Sequence, residues 1–409
     1  MTAVPRFRIR TRMSARDTDE SNRASSPIEL LFDLTFVVAI AQIAGQLATN
    51  IEHGHGASAI IPFLMVFFAI WWAWMNFTWF ASSYDTDDVP YRVLTLVQMA
   101  GVLVLAAGVP AAFASQNFLG VTLGYFIMRV GLVAQWTRAA VEDPQGRRTA
   151  ARYAIGIVVV QLGWLARLLF TVTPENELYT VYLSFVILVS LDVSVPFWAE
   201  HTGGTSWHPH HIAERYGLFT IILLGESIAA LAGGIEPIIR ASGPTGTLVS
   251  VGVSSLVLVF ALWWLYFMQP AGEGLALHRD RSFLWGYGHY AVFAALAGLG
   301  GGLEVVVAFA GGHSHISPVV AVYAVAVPVA VYLTFLWAVH APILARVVIP
   351  LPLVAPAAAA VLLLPLAADA IGLPVTFGLV VLVVVATVAL VVVRKDRGLR
   401  TLAARPEAG

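Results

Sequence analysis

The 409-residue sequence is 59% hydrophobic and only 11% charged, and its mean hydropathy is +0.81. Soluble domains carry roughly 25% charged residues, so this chain lacks the polar surface that a water-soluble protein needs. The formal net charge is −1, and the absence of cysteine excludes disulfides, thiolate chemistry and cysteine-based metal sites.

Twelve apolar stretches are each long enough to cross a bilayer, which requires about 20 mostly apolar residues. They lie near 29–49, 59–80, 91–113, 118–138, 152–171, 178–198, 212–233, 247–268, 283–309, 317–339, 346–366 and 373–393. The stretch 375–393, for example, is apolar on every face, whereas the strands of a transmembrane β-barrel alternate apolar and polar residues. The sequence therefore predicts an all-α, polytopic integral membrane protein.

The stretches "FAIWW" (68–72) and "FALWW" (260–264) indicate an internal duplication, and Asp88 and Asp280 share the same spacing. An even number of helices in each half predicts two parallel six-helix repeats, which in many membrane proteins enclose a site or pathway. The alternative is a duplication retained only for packing. In chain order we expect a cytoplasmic Arg-rich disordered tail (1–27), a first half (28–200), a His-rich cytoplasmic linker (201–211), a second half (212–393) and a cytoplasmic basic tail (394–409).

Arginine and lysine are concentrated in the two tails and in the even-numbered loops, whereas odd-numbered loops such as 50–58 and 171–179 are almost free of them. The positive-inside rule then places both termini in the cytoplasm. The basic tails fit this topology and contact with anionic lipid, so no nucleic-acid partner is expected.

The first predicted span begins with a capping box in which Ser26 is the N-cap and Glu29 the third helical residue. Capping explains Glu29 but not Asp33, which lies one turn deeper on the same helix face. At the start of the seventh span, Glu214 is expected to cap its helix or to pair with Arg215.

Glu226 lies about 18 Å deeper than Glu214 along the seventh span, at 1.5 Å per residue. A carboxylate at that depth must be protonated, paired or facing water, so Glu226 should point into the helix bundle. Its neighbour Gly225 is expected to permit close helix approach.

Basic groups also occur inside the predicted spans. Arg129 and Arg167 are expected to pair with Glu226 or Glu304, and His289 is a candidate for a proton path. Structural ion pairs are the alternative interpretation for each residue alone, whereas the set as a whole favours an ion or substrate pathway.

Neither metal binding nor catalysis is indicated. Loop histidines flanked by Gly and Pro, such as His208, His210 and His211, commonly bind nothing, so no metal and no cofactor are expected. Phosphate-binding glycine loops, zinc-protease motifs and nucleophile elbows are missing from the sequence. A lipid-acting intramembrane enzyme would need a nucleophile or a metal set, so we expect no enzyme.

Three stretches, "SPIELLFDLTFVVAIAQIAGQL", "SSYDTDDVPYRVLTLVQMAGVLVLAAGVP" and "HIAERYGLFTIILLGESI", resemble the bacterial low temperature requirement A family. The residues that match the family pattern are Glu29, Phe32, Asp33, Phe36, Asp85, Asp88, Arg92, His211, Glu214, Arg215, Gly217, Gly225 and Glu226. The resemblance implies a bacterial plasma-membrane protein with a link to growth in the cold. It does not define a biochemical activity.

The leading hypothesis is a secondary transporter or ion pathway for a small ion or solute, in which Asp33 and Glu226 bind a cation or proton. The candidate pathway residues are Glu29, Asp33, Arg129, Glu214, Arg215, Glu226, His289 and Glu304, and the cytoplasmic loop motif comprises Asp85, Asp88, Arg92 and His211. The alternative is a membrane scaffold or stress-adaptation protein whose buried ion pairs are structural. The expected partners are the lipid bilayer and a small ion or solute, and homo-oligomerisation is left open.

Overall fold

The computed structural model describes residues 9–17, 20, 24–170, 176–345 and 347–403, with side chains described as far as residue 396. The chain is 83% helical, and the described residues include no strand, which confirms the all-α prediction. Among these residues, twelve helical stretches are long and apolar enough to cross a membrane, so the predicted number of spans is also confirmed.

The helices are α1 (Pro27–Glu52), α2 (Gly56–Tyr84), α3 (Val89–Ser115), α4 (Leu119–Glu142), α5 (Arg147–Arg167), α6 (Ser184–Glu200), α7 (Pro209–Ser242), α8 (Gly246–Phe267), α9 (Ala271–Leu277), α10 (Ser282–Ala310), α11 (Pro318–His340), α12 (Leu351–Leu363), α13 (Ala368–Ile371) and α14 (Leu373–Ala403). A π-helix, Leu178–Leu183, leads into α6, and a 3₁₀ turn, Leu364–Ala367, joins α12 to α13. The eleventh span is therefore broken, with Pro365 in its 3₁₀ turn and Gly372 at φ 82° after α13.

Side-chain caps define several helix starts. Asp88 accepts a hydrogen bond from Tyr91 N at the start of α3, Thr245 accepts one from Leu248 N at α8, and Ser317 accepts one from Val320 N at α11. Each cap satisfies one of the backbone donors that a helix leaves unpaired in its first turn.

The described chain divides into two compact units. The first contains Met1–Gln42 and Ile61–Arg215, and the second contains Ile43–Ile60 and Tyr216–Gly409. In the first unit α3 packs on α4, α4 on α5 and α5 on α6, whereas in the second α10 packs on α11, α11 on α12 and α8 on α14. The six-helix repeat remains a prediction from the sequence.

Glycines bring α3 and α4 into backbone contact. A Cβ on Gly108 would lie 2.5 Å from Val121 N, and a Cβ on Gly124 would overlap the Leu105 backbone. Small residues allow membrane helices to approach this closely, so α3 and α4 form a rigid pair within the first unit.

Candidate functional site

A buried ion cluster joins the starts of α1 and α7 within the first unit. The Arg215 guanidinium is fully buried and donates from Nε to Asp33 Oδ2 at 3.1 Å and from Nη2 to Asp33 Oδ1 at 2.5 Å. Arg215 Nη1 also lies 2.8 Å from Glu29 Oε1, and Trp74 Nε1 donates to Asp33 Oδ1 at 2.7 Å. Asp33 is thus saturated by charged and neutral donors.

Helix geometry explains why these side chains meet. Asp33 follows Glu29 by four residues on α1, and Arg215 follows His211 by four on α7, so each pair shares one helix face. Glu29 Oε2 also accepts from Ser26 N at 2.7 Å, as the capping interpretation expected, and His211 Nε2 lies 3.2 Å from Glu29 Oε1.

The charges of this cluster do not cancel by themselves. Glu29 and Asp33 contribute −2 and Arg215 contributes +1, which leaves −1 while His211 is neutral and zero when its imidazole carries a proton. All four residues are at most 1% exposed, so this balance is set in a medium of low dielectric constant, where an uncompensated charge is costly.

Arg129 has a different partner from the one expected. Its Nη2 donates to Asp192 Oδ1 at 3.1 Å, and both side chains are only 3% exposed. Tyr125 Oη and Trp164 Nε1 donate to Asp192 Oδ2 at 2.8 and 3.1 Å. Pairing of Arg129 with Glu226 or Glu304 was therefore the wrong expectation, because the Asp192 carboxylate on α6 already compensates the Arg129 charge.

Arg167, the last residue of α5, has no carboxylate partner among the described residues, which also corrects its expected pairing with Glu226 or Glu304. Its Nε donates to Ser184 Oγ at 2.9 Å and to Thr180 O at 3.2 Å, and its Nη2 donates to Val181 O at 3.0 Å. These acceptors are neutral.

Three of the four residues of the predicted loop motif form separate ion pairs, whereas the fourth, His211, belongs to the ion cluster of α1 and α7. Asp88 is fully buried and accepts from Arg138 Nη2 at 2.6 Å and from Thr11 N at 2.8 Å. Burial raises the pKa of Asp88, but the hydrogen bonds from Arg138, Thr11 and Tyr91 outweigh it and lower that pKa to about 2. Asp88 is therefore ionised at neutral pH.

Arg92 and Asp85 form the other two ion pairs of the motif. Arg92 pairs with Asp87 at 2.7 Å, and Asp85 lies 3.6 Å from Arg16. Residues 9–17, part of the tail that we predicted to be disordered, are held here, because Met13 N donates to Glu142 Oε2 at 2.6 Å and the Met13 side chain is fully buried.

Glu214 and Gly225 differ from their expected roles. Glu214 Oε1 accepts from Ser25 N at 3.2 Å, whereas Arg215 binds Glu29 and Asp33 instead of Glu214. A Cβ on Gly225 would meet no described atom within 4 Å, so the close helix approach expected at this glycine was wrong.

The second unit holds a row of acids beside an open cavity. Glu52 ends α1, Glu304 lies about 9 Å before the end of α10, and Glu226 lies about 24 Å before the end of α7, at 1.5 Å per residue. Glu52 and Glu304 line a cavity of about 830 Å³, measured with its open mouth, together with His313 and the small residues of α7. Glu304 experiences Coulombic repulsion from both Glu226 and Glu52.

Glu226 and Glu304 have no ion-pair or hydrogen-bond partner in the part of the chain that the structure describes. Both side chains are partly buried, and no lysine or arginine is among the residues that line the cavity. Of the predicted pathway acids, these two have neither a counter-charge nor a hydrogen-bond donor among the described residues.

His289 belongs to a buried aromatic cluster. Its Nδ1–H donates to Trp285 O at 2.7 Å, because a carbonyl can only accept, and its Nε2 therefore accepts from Tyr266 Oη at 3.2 Å. His340 lies 5.5 Å away between ring centroids and donates from Nδ1 to Leu336 O at 2.9 Å.

Sequence reasoning missed several partners, namely Trp74, Arg138, Asp192, Glu52 and His340. Asp192 carried a usable signal because it is an acid inside a span, and Arg138 was counted only for topology. Within the described ranges, no group of three His, Cys, Asp or Glu side chains is arranged to hold a metal ion.

The family model described as bacterial low temperature requirement A protein matches residues 24–392. An uncharacterized protein of Rhizobium meliloti (strain 1021) is 26% identical over 296 residues, which cover 69% of this chain and 69% of the relative. The match excludes residues 9–17, although the acids that hold this segment lie inside it.

Proposed function

The chain belongs to the bacterial low temperature requirement A protein family, and from that premise we propose that it moves a small cation or proton across a membrane. The pathway enters through the cavity of the second unit and uses Glu52, Glu304 and Glu226 as successive carboxylates. The observation that carries the proposal is that Glu304 and Glu226 have no counter-charge within the described chain.

The physical reason is the cost of an isolated carboxylate at membrane depth. Such a group must be protonated, hydrated or bound to a cation, because removal of its charge from water is otherwise unfavourable by several kcal/mol. An open acidic cavity supplies water and concentrates cations at its mouth. A proton or cation that exchanges between neighbouring acids then relieves the repulsion between them.

The site differs from the one expected from sequence. Asp33 is engaged by Arg215 and Trp74, and Arg129 by Asp192, so neither is available to bind a transported ion in this arrangement. We assign to Asp33, Glu29 and Arg215 the role of fixing the start of α7 against the start of α1. His289 stays a candidate for proton exchange through Tyr266.

Placement in the bacterial plasma membrane with both termini cytoplasmic is part of the same proposal. Its support is the concentration of arginine in the tails and even-numbered loops. The proposed partners are the lipid bilayer and the transported ion, with no enzymatic step, nucleic acid or cofactor.

Flux through reconstituted liposomes tests the proposal. Inward gradients of H⁺, Na⁺ and K⁺ are imposed in turn, and the dissipation of each is followed with an entrapped dye. We expect Glu226→Gln and Glu304→Gln to reduce the flux of the active ion at least tenfold. Glu236→Gln is the matched control, because Glu236 also lies on α7 but is 60% exposed and pairs with Arg240. Unchanged flux in both the Glu226 and the Glu304 variant would reject the pathway.

A second candidate function is a non-transporting membrane scaffold, which the first unit favours because its buried cations Arg129 and Arg215 are both paired with carboxylates. A scaffold collapses no ion gradient at all. It also gains stability from Glu226→Gln and Glu304→Gln, because each replacement removes a charge that no described residue compensates.

A further inference from the structure

A second cavity, in the first unit, combines aromatic walls with an arginine that has no carboxylate partner among the described residues. It is a narrow cavity with an open mouth, and it is lined by Phe118 just before α4 and by residues of α2, α4, α5 and α6, among them Phe68, Trp164 and Phe185. Arg167 is its charged lining residue. The transport proposal does not use this cavity.

The aromatic walls are held in fixed orientations. Trp164 packs edge-on against Phe185 at 5.4 Å and against Tyr125 at 6.3 Å between ring centroids. The polar atoms of Tyr125 and Trp164 are hydrogen bonded to Asp192, which Arg129 neutralises. The buried Arg129–Asp192 pair therefore turns two amphipathic rings so that their apolar faces line the cavity.

Arg167 is held at the cavity, and no carboxylate in the described part of the chain neutralises it. Its Nε and Nη2 are bound to Ser184 and to carbonyls of the π-helix, and the guanidinium lies over the Phe118 ring at 5.3 Å. A guanidinium has five N–H donors, and the described residues provide no acceptor for those on Nη1. A partly buried guanidinium without a carboxylate favours an oxyanion as its partner.

We propose that this cavity binds an anionic amphiphile, with the oxyanion of its headgroup on Arg167 Nη1 and an acyl segment against the walls formed by Phe68, Trp164 and Phe185. The apolar lining excludes a free hydrated anion as the preferred ligand, because most of the cavity wall offers no hydrogen bond. The charge of Arg167 distinguishes anionic lipids from zwitterionic ones.

Fluorescence quenching by lipids with brominated acyl chains tests the proposal on the full-length protein in a neutral detergent. We expect brominated phosphatidylglycerol to quench at about fivefold lower mole fraction than brominated phosphatidylcholine, because one basic residue near an anionic headgroup strengthens binding by about that factor. The chain has 12 tryptophans, so the signal must be assigned to this cavity. Trp164→Phe should remove the saturable part of the quenching, which assigns that part to Trp164. Equal quenching by the two lipids in the native protein would overturn the proposal.

Arg167→Gln should make the two lipids equivalent, and Arg152→Gln should not. Arg152 is the matched control because it lies on the same helix, five residues from its start, and stacks on Trp198. Ala69→Leu retains Arg167 and all its hydrogen bonds but fills the cavity that Ala69 lines, so it should abolish saturable quenching by both lipids.

Three outcomes overturn the proposal even if Arg167→Gln fails to fold. Persistence of saturable quenching in Ala69→Leu would show that the lipid binds elsewhere. Displacement of the brominated lipid by millimolar inorganic phosphate would identify a free-anion site instead of an amphiphile site. Brominated fatty acid is expected to behave like phosphatidylglycerol, and its failure to quench would contradict recognition through one oxyanion.

Discussion

Replacement of Arg215 by glutamine should destabilise the protein far more than replacement of its partner Asp33 by asparagine. Arg215 is fully buried and is the cation in contact with both Glu29 and Asp33. With His211 neutral, its removal makes the net charge of the cluster more negative, from −1 to −2, and leaves two carboxylates one helical turn apart. A buried pair broken in this way typically costs 3–5 kcal/mol, so we expect about 4 kcal/mol for Arg215→Gln.

Asp33→Asn has a smaller expected effect because it removes the excess negative charge. Arg215 keeps its 2.8 Å contact with Glu29, and the loss is limited to the charge-assisted hydrogen bonds at Asp33. Hydrogen bonds to charged groups contribute about 1.5–3 kcal/mol, so we expect about 2 kcal/mol. The double variant should then lose less unfolding free energy than the two single variants lose together, because no unneutralised pair of carboxylates remains.

Unfolding in mixed micelles, titrated with a denaturing detergent, measures these free energies as differences between variants. Glu236→Gln, at an exposed ion pair on the same helix, should change the unfolding free energy within experimental error. Additive effects in the double variant, or an Arg215→Gln protein as stable as the Glu236→Gln control, would refute the assignment of Arg215 as the charge that holds α1 and α7.

Two further predictions concern the remainder of the fold. Asp88 has a pKa of about 2 in the folded protein, below its ordinary 3.8, so its ionisation stabilises the fold above pH 4 and this contribution disappears as the pH falls towards 2. The difference in melting temperature between the native protein and Asp88→Asn should therefore shrink between pH 4 and pH 2. A difference that stays constant over this interval would contradict the prediction. Gly124→Ala should lower the unfolding free energy by about 1–3 kcal/mol, because the added Cβ meets the Leu105 backbone. Gly225→Ala adds a Cβ in open space and should be neutral or stabilising by up to about 1 kcal/mol. Equal effects of the two substitutions would show that α3 and α4 are not in contact.

The twelve spans could be predicted from the sequence because hydropathy is a local property. A run of about 20 apolar residues has the same consequence wherever it occurs, and all twelve were found. The start of α7 was placed three residues late, at 212 instead of Pro209, although proline at the first helical position is a known start signal. The break after Leu363 was missed because both flanking segments are equally apolar.

The ion pairs could not be predicted, because they depend on how each helix is rotated about its axis. Asp33 and Arg215 are 182 residues apart, and nothing local indicates that their helix faces meet. The same limit applies to Arg129, for which we chose acids by depth and overlooked Asp192. Depth along a helix restricts which residues are level with one another, but several acids satisfied that restriction, and only the rotation of α6 selects Asp192.

The distribution of counter-charges now separates acids that were indistinguishable in the sequence. Asp33 and Glu226 are both carboxylates inside apolar helices, yet Asp33 receives three hydrogen bonds and Glu226 receives none from the described chain. A fully bonded carboxylate is expensive to protonate or to load with another cation, because those donors would have to be displaced first. Glu226, and Glu304 at the wall of the open cavity, carry no such cost, because a carboxylate without a partner among the described residues is already in an unfavourable state. Under the proposed function, the acids that exchange a proton or cation are therefore the ones for which the described chain provides no partner.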